Sequence, residues 1–220
     1  MTLLADRIFE DLKRRILRFE LRPGDRLLEE ELAQQWRVSR TPVREACKRL
    51  VEAGLVHTAP RRGYTVRQLD LVEIDQCYEV RVALEVFAVG LAVERGRAYD
   101  WAALARIWSD PPDPLPDAEA MLGLDENFHL AIAEAAGNRV LVDYLRSISD
   151  RIRAVRAKDF TMLPRVRATY AQHAYILQRI AQGDAEAASE AMRDHILESK
   201  ANVIPAVKEL LAEMYLRPRV

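Results

Sequence analysis

The chain has 220 residues, half of them apolar and 30% charged, with 33 basic and 34 acidic side chains for a formal charge of -1. That composition suits a folded core. It excludes disorder, a disulfide scaffold or zinc ribbon (only Cys47 and Cys77 are present) and a chain that is basic throughout. No apolar run approaches the ~18 residues of a membrane span, and charges break up the apolar N-terminus, which reads against a signal peptide and for a soluble cytoplasmic protein with no membrane partner.

Leu4, Ile8, Leu12 and Ile16 trace one helical stripe with Phe9 and Leu17 beside it, and Pro23-Gly24-Asp25 ends that helix. A short helix follows over Glu29–Trp36. Ser39 can cap a third, in which Pro42 occupies the first turn and Val43, Cys47, Leu50 and Val51 share a face up to Gly54. Leu55–Thr58 and Tyr64–Arg67 read as two short strands around a Pro60-Arg61-Arg62-Gly63 tip. Residues 1–69 are therefore expected to form a winged helix-turn-helix. Strand signals then cease. Helices are expected over Leu71–Arg97, Trp101–Trp108, 118–136, 139–157, 164–181 and 185–215, with the proline-rich 110–117 a loop and Pro205 kinking or interrupting the last. The fold class is mainly α, with residues 70–220 an all-α bundle.

Charge divides the same way. Residues 1–70 hold 15 basic and 11 acidic side chains, residues 71–220 hold 18 and 23, and residues 35–67 hold eight and two. Arg40 and Arg44, four apart, share the helix face opposite Val43 and Cys47, and Lys48 continues it; Arg49 is counted with the same DNA-contacting set. A helix fits the major groove, and arginine is shaped to clasp guanine O6 and N7. Thr41 is placed beside them as a phosphate donor and Ser39 is counted in the same set, while Arg61 and Arg62 next to Gly63 at the hairpin tip suit a narrow groove. The alternative is a basic, idle helix surface.

The string VSRTPVREA at 38–46, preceded by Glu31-Leu32-Ala33 and by LRPGDRL at 21–27, resembles the N-terminal domain of GntR-type bacterial transcription regulators over residues 5–67. The resemblance implies base-contacting arginines at Arg40 and Arg44, Thr41 near phosphate and a wing glycine at Gly63. Where some members carry a DNA-contacting arginine, this chain has Glu30.

Three of the four histidines, His129, His173 and His195, fall in different expected helices of the bundle, and Asp125 lies one turn before His129. One carboxylate and three neutral imidazoles suit a divalent cation, zinc first, with nickel, manganese, cobalt or iron(II) as others. The Asp125–His129 spacing serves equally for a helical ion pair. DENFHLAIAEAAGN at 125–138, then His173 before ILQRIAQGDAEAASEAM, then His195, resembles the FCD effector domain of FadR-type GntR regulators over about 72–215. That resemblance implies Asp125, His129, His173 and His195 as metal ligands, and Arg81 as the holder of an effector carboxylate. A structural ion pair of Arg81 with Glu85 or Asp125 is the competing expectation.

Together these features lead to the expectation of a homodimeric repressor, not an enzyme, that binds double-stranded operator DNA and answers to a small organic acid. Pairing follows from half-site geometry, which places two reading helices in successive major grooves. Two other readings stand beside it: a metal-dependent enzyme of helical fold, and a regulator for which the metal itself is the signal.

Overall fold

In the computed structural model, which describes residues 2–59 and 63–216, the chain divides into two compact units, Met1–Asp70 and Leu71–Val220. In the first, α1 (Thr2–Leu17) buries Ala5, Ile8, Leu12 and Ile16 and packs on α3 (Arg40–Glu52). The 3.6-residue period places those side chains on one stripe, and burying each large aliphatic one contributes about 1.5–3 kcal/mol. α1 stops at Leu17, ahead of the expected Pro23-Gly24 signal, where Phe19 takes a positive φ of 57°. α2 (Glu29–Trp36) ends at Arg37 in the left-handed region, and the Val38 N–H returns to the Ala33 carbonyl at 2.9 Å. Ser39 occupies the N-cap position of α3 in extended conformation, but its side chain does not make the expected capping hydrogen bond. Pro42, Val43, Ala46, Cys47 and Leu50 form the buried face of α3.

The wing is a three-stranded antiparallel sheet of β1 (Arg26–Leu27), β2 (Val56–Ala59) and β3 (Gly63–Val66), ordered β1-β3-β2. β2 and β3 pair Val56 with Val66 and Ala59 with Gly63, within a residue of the expected hairpin. β1 was not expected, since a two-residue strand has no period; it exists because β3 offers Thr65 and Tyr64 to Arg26 and Leu27. Gly63 has a positive φ of 76°, and a Cβ there would lie 2.7 Å from the Leu27 carbonyl oxygen. The wing glycine is thus required by its own sheet.

The second unit contains α4 (Leu71–Arg95), a 3-10 turn (Gly96–Ala98), α5 (Trp101–Trp108), α6 (Ala118–Ala135), α7 (Arg139–Asp159), α8 (Leu163–Ala181) and α9 (Ala185–Leu216). Side chains of Asp100, Asp117 and Asn138 accept hydrogen bonds from backbone N–H groups in the first turns of α5, α6 and α7. α4 is central, packed on α6, α7, α8 and α9. Pro205 does not interrupt α9. It removes one ladder hydrogen bond, but Val203 and Val207, fully buried on either side, hold both halves of the helix in the core.

Candidate metal centre and DNA-reading face

Arg40, Thr41, Arg44 and Lys48 are exposed along α3, opposite its buried face, with Ser39 exposed just before it. Both Arg40 and Arg44 are engaged by α2. Glu30 pairs with Arg40 at 2.8 Å, and Glu29 takes Arg44 bidentately, with Nε at 3.0 and 3.1 Å and Nη2 at 2.7 Å. Arg49 turns away from this face. Its guanidinium pairs with Asp6 at 2.5 Å and stacks 4.1 Å from the Phe9 ring centroid, so it ties α3 to α1. Arg61 and Arg62 lie outside the described residues.

All four expected metal ligands converge. One donor atom from each of Asp125 and His129 (α6), His173 (α8) and His195 (α9) lies within 4.8 Å of the others, and all four residues are buried. His173 Nε2 is 3.2 Å from His195 Nε2 and 3.4 Å from Asp125 Oδ1; His129 Nε2 is 3.6 Å from that oxygen. One outer ring nitrogen fixes a tautomer: His195 Nδ1 donates to Gln172 Oε1 at 2.8 Å, which turns its Nε2 lone pair inward. His129 Nδ1 lies against the Glu85 carboxylate, which places its Nε2 toward the cluster. His173 is positioned by packing: its ring stacks on Phe128 at 3.5 Å and 5°, with the Trp108 ring edge-on at 4.1 Å. His173 Nε2 and His195 Nε2 share a hydrogen bond, but His129 Nε2 and His173 Nδ1, both buried, have no hydrogen-bond partner among the described residues. The donor set therefore fits a divalent metal.

The electrostatics agree. Burial pushes the His173 and His195 imidazoles well below 6.5, which keeps them in the neutral, ligating form. Burial alone would raise Asp125, but the Arg156 guanidinium, paired with its second oxygen, holds it well below the usual carboxylate range. Glu85 behaves likewise: burial is outweighed by Arg81 and His129, and its carboxyl falls to about 2. These shifts predict acid instability of metal-stripped protein. The unfolded chain protonates both imidazoles below about 6.5 while the fold keeps them neutral, so the unfolded state binds more protons. Stability is then lost as pH falls below about 6.5, at about 3 kcal/mol per pH unit for the two groups. Urea titrations at pH 7.5 and 5.5 measure this, and equal midpoints would contradict it.

Arg81 is buried in α4, its Nε donating to Glu85 Oε1 at 2.7 Å, so the Glu85 ion pair is the arrangement observed. Of the supporting residues, Glu85 is expected from the sequence only as a partner of Arg81, Arg156 only as one of three further acid-holding candidates with Arg151 and Arg153, and Gln172 not at all. Arg156 is buried, and its Nη1 has no hydrogen-bond partner among the described residues. Gln172 adjoins His173 in sequence but serves His195, and Arg165 Nη1 donates to the same Gln172 oxygen at 3.1 Å, which sets the amide's orientation. Arg151 and Arg153 pair outside the cluster, with Glu73 and Glu126.

The profile of the FCD domain family matches residues 76–198, and that of the bacterial regulatory proteins of the gntR family matches residues 4–66. The chain is 32% identical over 200 residues to the Nta operon transcriptional regulator of Aminobacter aminovorans, covering 90% of this chain and 94% of that protein. It is 26% identical over 207 residues to the HTH-type transcriptional repressor RspR of Escherichia coli, covering 89% of this chain and 87% of that one. Its fold matches that of E. coli McbR/YncC with a TM-score of 0.69 at 23% identity, over 93% of this chain and 98% of the other.

Proposed function

Because the chain belongs to the gntR family of bacterial regulatory proteins, with an FCD domain, and is a regulator of transcription and not an enzyme, we propose a repressor whose helical unit binds a divalent cation and a small organic acid. The observation that carries this reading is the buried convergence of Asp125, His129, His173 and His195, with His195 oriented by Gln172 and His129 set against Glu85. Three imidazoles and a carboxylate close a tetrahedral zinc shell; nickel, manganese, cobalt or iron(II) in six coordination leave two positions for a carboxylate. The cation would supply positive charge for one acid oxygen. Around it, Glu85 and Gln172 keep His129 and His195 oriented, and Arg156 offers the unpartnered Nη1 as a charge-assisted donor. Arg81, beside Glu85, is the second proposed holder of the acid.

On the DNA side, Ser39, Arg40, Thr41, Arg44 and Gly63 are the proposed contacts, with the two arginines reading base edges. The working form is proposed to be a cytoplasmic homodimer, with exposed Val80 and Phe87 on α4 and Val140 and Tyr144 on α7 as the apolar surface available for pairing. No helix among the described residues is long and apolar enough to cross a membrane. The repressor assignment is supported by the likeness to RspR, which is itself named a repressor. The acid acts only if it favours one arrangement of the DNA-binding units over the other.

Native mass spectrometry of gently purified protein tests this, with a dimer carrying one divalent ion per chain and a retained acid as the expected result. A monomeric, metal-free species that also shows no thermal shift with zinc, nickel, cobalt or manganese would overturn it. Titrating metal into stripped protein while following operator affinity separates the two signals: a change without acid makes the ion the message, and a change that needs acid makes the ion its anchor.

A further inference from the structure

The first turn of α2 places three carboxylates in succession, and two of them engage the two reading arginines of α3. The two pairs differ in kind. The Glu29 side chain is 20% exposed and holds Arg44 through three contacts beside Tyr64 of β3, so it is built into the unit. Glu30 is 64% exposed and meets Arg40 at 2.8 Å, so that pair can open and re-form in solvent.

A guanidinium has five N–H donors in a rigid fork, and a carboxylate engages at most two. The remainder stay available for an acceptor; the Arg44 fork, held through Nε and Nη2, is no longer free to turn, and the Arg40 fork is biased toward Glu30 while their pair is closed. A carboxylate beside each arginine also repels phosphate oxygens, whose contacts carry no sequence information. We infer that Glu29 and Glu30 form a carboxylate shelf that aims Arg44 and Arg40 at base edges and disfavours their capture by the phosphate backbone. They are positioning residues, through which the chain exchanges non-specific affinity for sequence discrimination. Glu30 adds a second element: when Arg40 moves onto a guanine, the released carboxylate lies beside it and accepts from an amino group in the groove, cytosine N4 or adenine N6.

The inference rests on the assignment of Arg40 and Arg44 as base readers, and its test separates the two. Full-length wild-type protein selects its preferred sites from a library of randomised short duplexes. Affinities for the selected and a scrambled duplex are then measured for Glu29→Gln, Glu30→Gln, Glu31→Gln, Arg40→Ala and Arg44→Ala. Glu31 is exposed on the same turn and bonds to neither arginine, so its variant carries the same charge change without the contact. The shelf predicts that Glu29→Gln and Glu30→Gln bind scrambled DNA more tightly, with the selected-to-scrambled ratio falling roughly tenfold, as for loss of one good base contact. The ratio stays put for Glu31→Gln, and repeat selection with Glu30→Gln relaxes one base position. A ratio that falls equally in Glu31→Gln reduces the effect to net charge and overturns the shelf. A ratio that falls in the arginine variants and in none of the glutamine variants overturns the shelf while leaving the arginine assignment intact. A ratio unmoved by the arginine variants removes both.

Discussion

Replacing His173 by phenylalanine is expected to remove stoichiometric metal from the protein while leaving the helical unit folded. The phenylalanine ring can keep the parallel stack on Phe128 and the edge contact with Trp108, but it offers no lone pair to the cluster. Apparent binding free energies of structural zinc sites are about 10–16 kcal/mol over four ligands, so one ligand accounts for about 3 kcal/mol, roughly a hundredfold in affinity. Metal analysis after dialysis against a weak chelator reads the loss directly. His173→Ala loses the ligand as well but also opens a cavity, at a further cost of about 3 kcal/mol or more. Metal-free unfolding therefore distinguishes the two variants: phenylalanine stays near the stripped wild type and alanine falls well below it. Operator binding by the phenylalanine variant should no longer respond to acids that act on the wild type. Full metal occupancy in that variant would remove His173 from the ligand set and leave Asp125, His129 and His195 as the cation site.

The parts of this centre differ in how they are written in the chain. The four donors were legible because histidine is scarce here, because Asp125 and His129 stand one helical turn apart, and because the motif around them is specific. Glu85 was visible only as a possible partner of Arg81. Its contact with His129 spans α4 to α6 and depends on α4 being the central helix, which no local period states. Gln172 sits next to a ligand yet serves a different one on α9, a relation that only packing creates. Arg156 and Arg153 look alike in sequence, and it is burial against Asp125 that separates them.

The same distinction runs through the first unit. The apolar stripe of α1 and the buried face of α3 follow from helical period alone. The departure of Arg49 to Asp6 and Phe9, the pairing of β1 with β3, and the engagement of Arg40 and Arg44 by α2 arise from contacts between elements. Pro205 is the converse case: a strong local signal for a break is overridden because Val203 and Val207 are buried on both sides of it.

The double change Arg40→Ala, Arg44→Ala should bring binding of a selected operator down to the level of scrambled DNA. A bidentate guanine contact is worth about 1–3 kcal/mol of discrimination, so losing two removes about 2–6 kcal/mol, roughly 30-fold to more than 10,000-fold. The fold should survive, because both side chains are more than half exposed and lie on the face of α3 opposite its buried residues. The main structural cost is Glu29, which loses its bidentate partner while staying largely covered next to Tyr64; a fall of a few degrees in melting temperature would report it. Metal content should be untouched, since the ligands belong to the other compact unit. Lys48→Ala supplies the contrast. A single ammonium acting on the backbone weakens binding to all sequences alike and lowers the slope of log affinity against log salt by about one. The arginine pair should instead collapse the difference between selected and scrambled duplexes. If the double variant still discriminates as the wild type does, sequence is being read by residues other than Arg40 and Arg44.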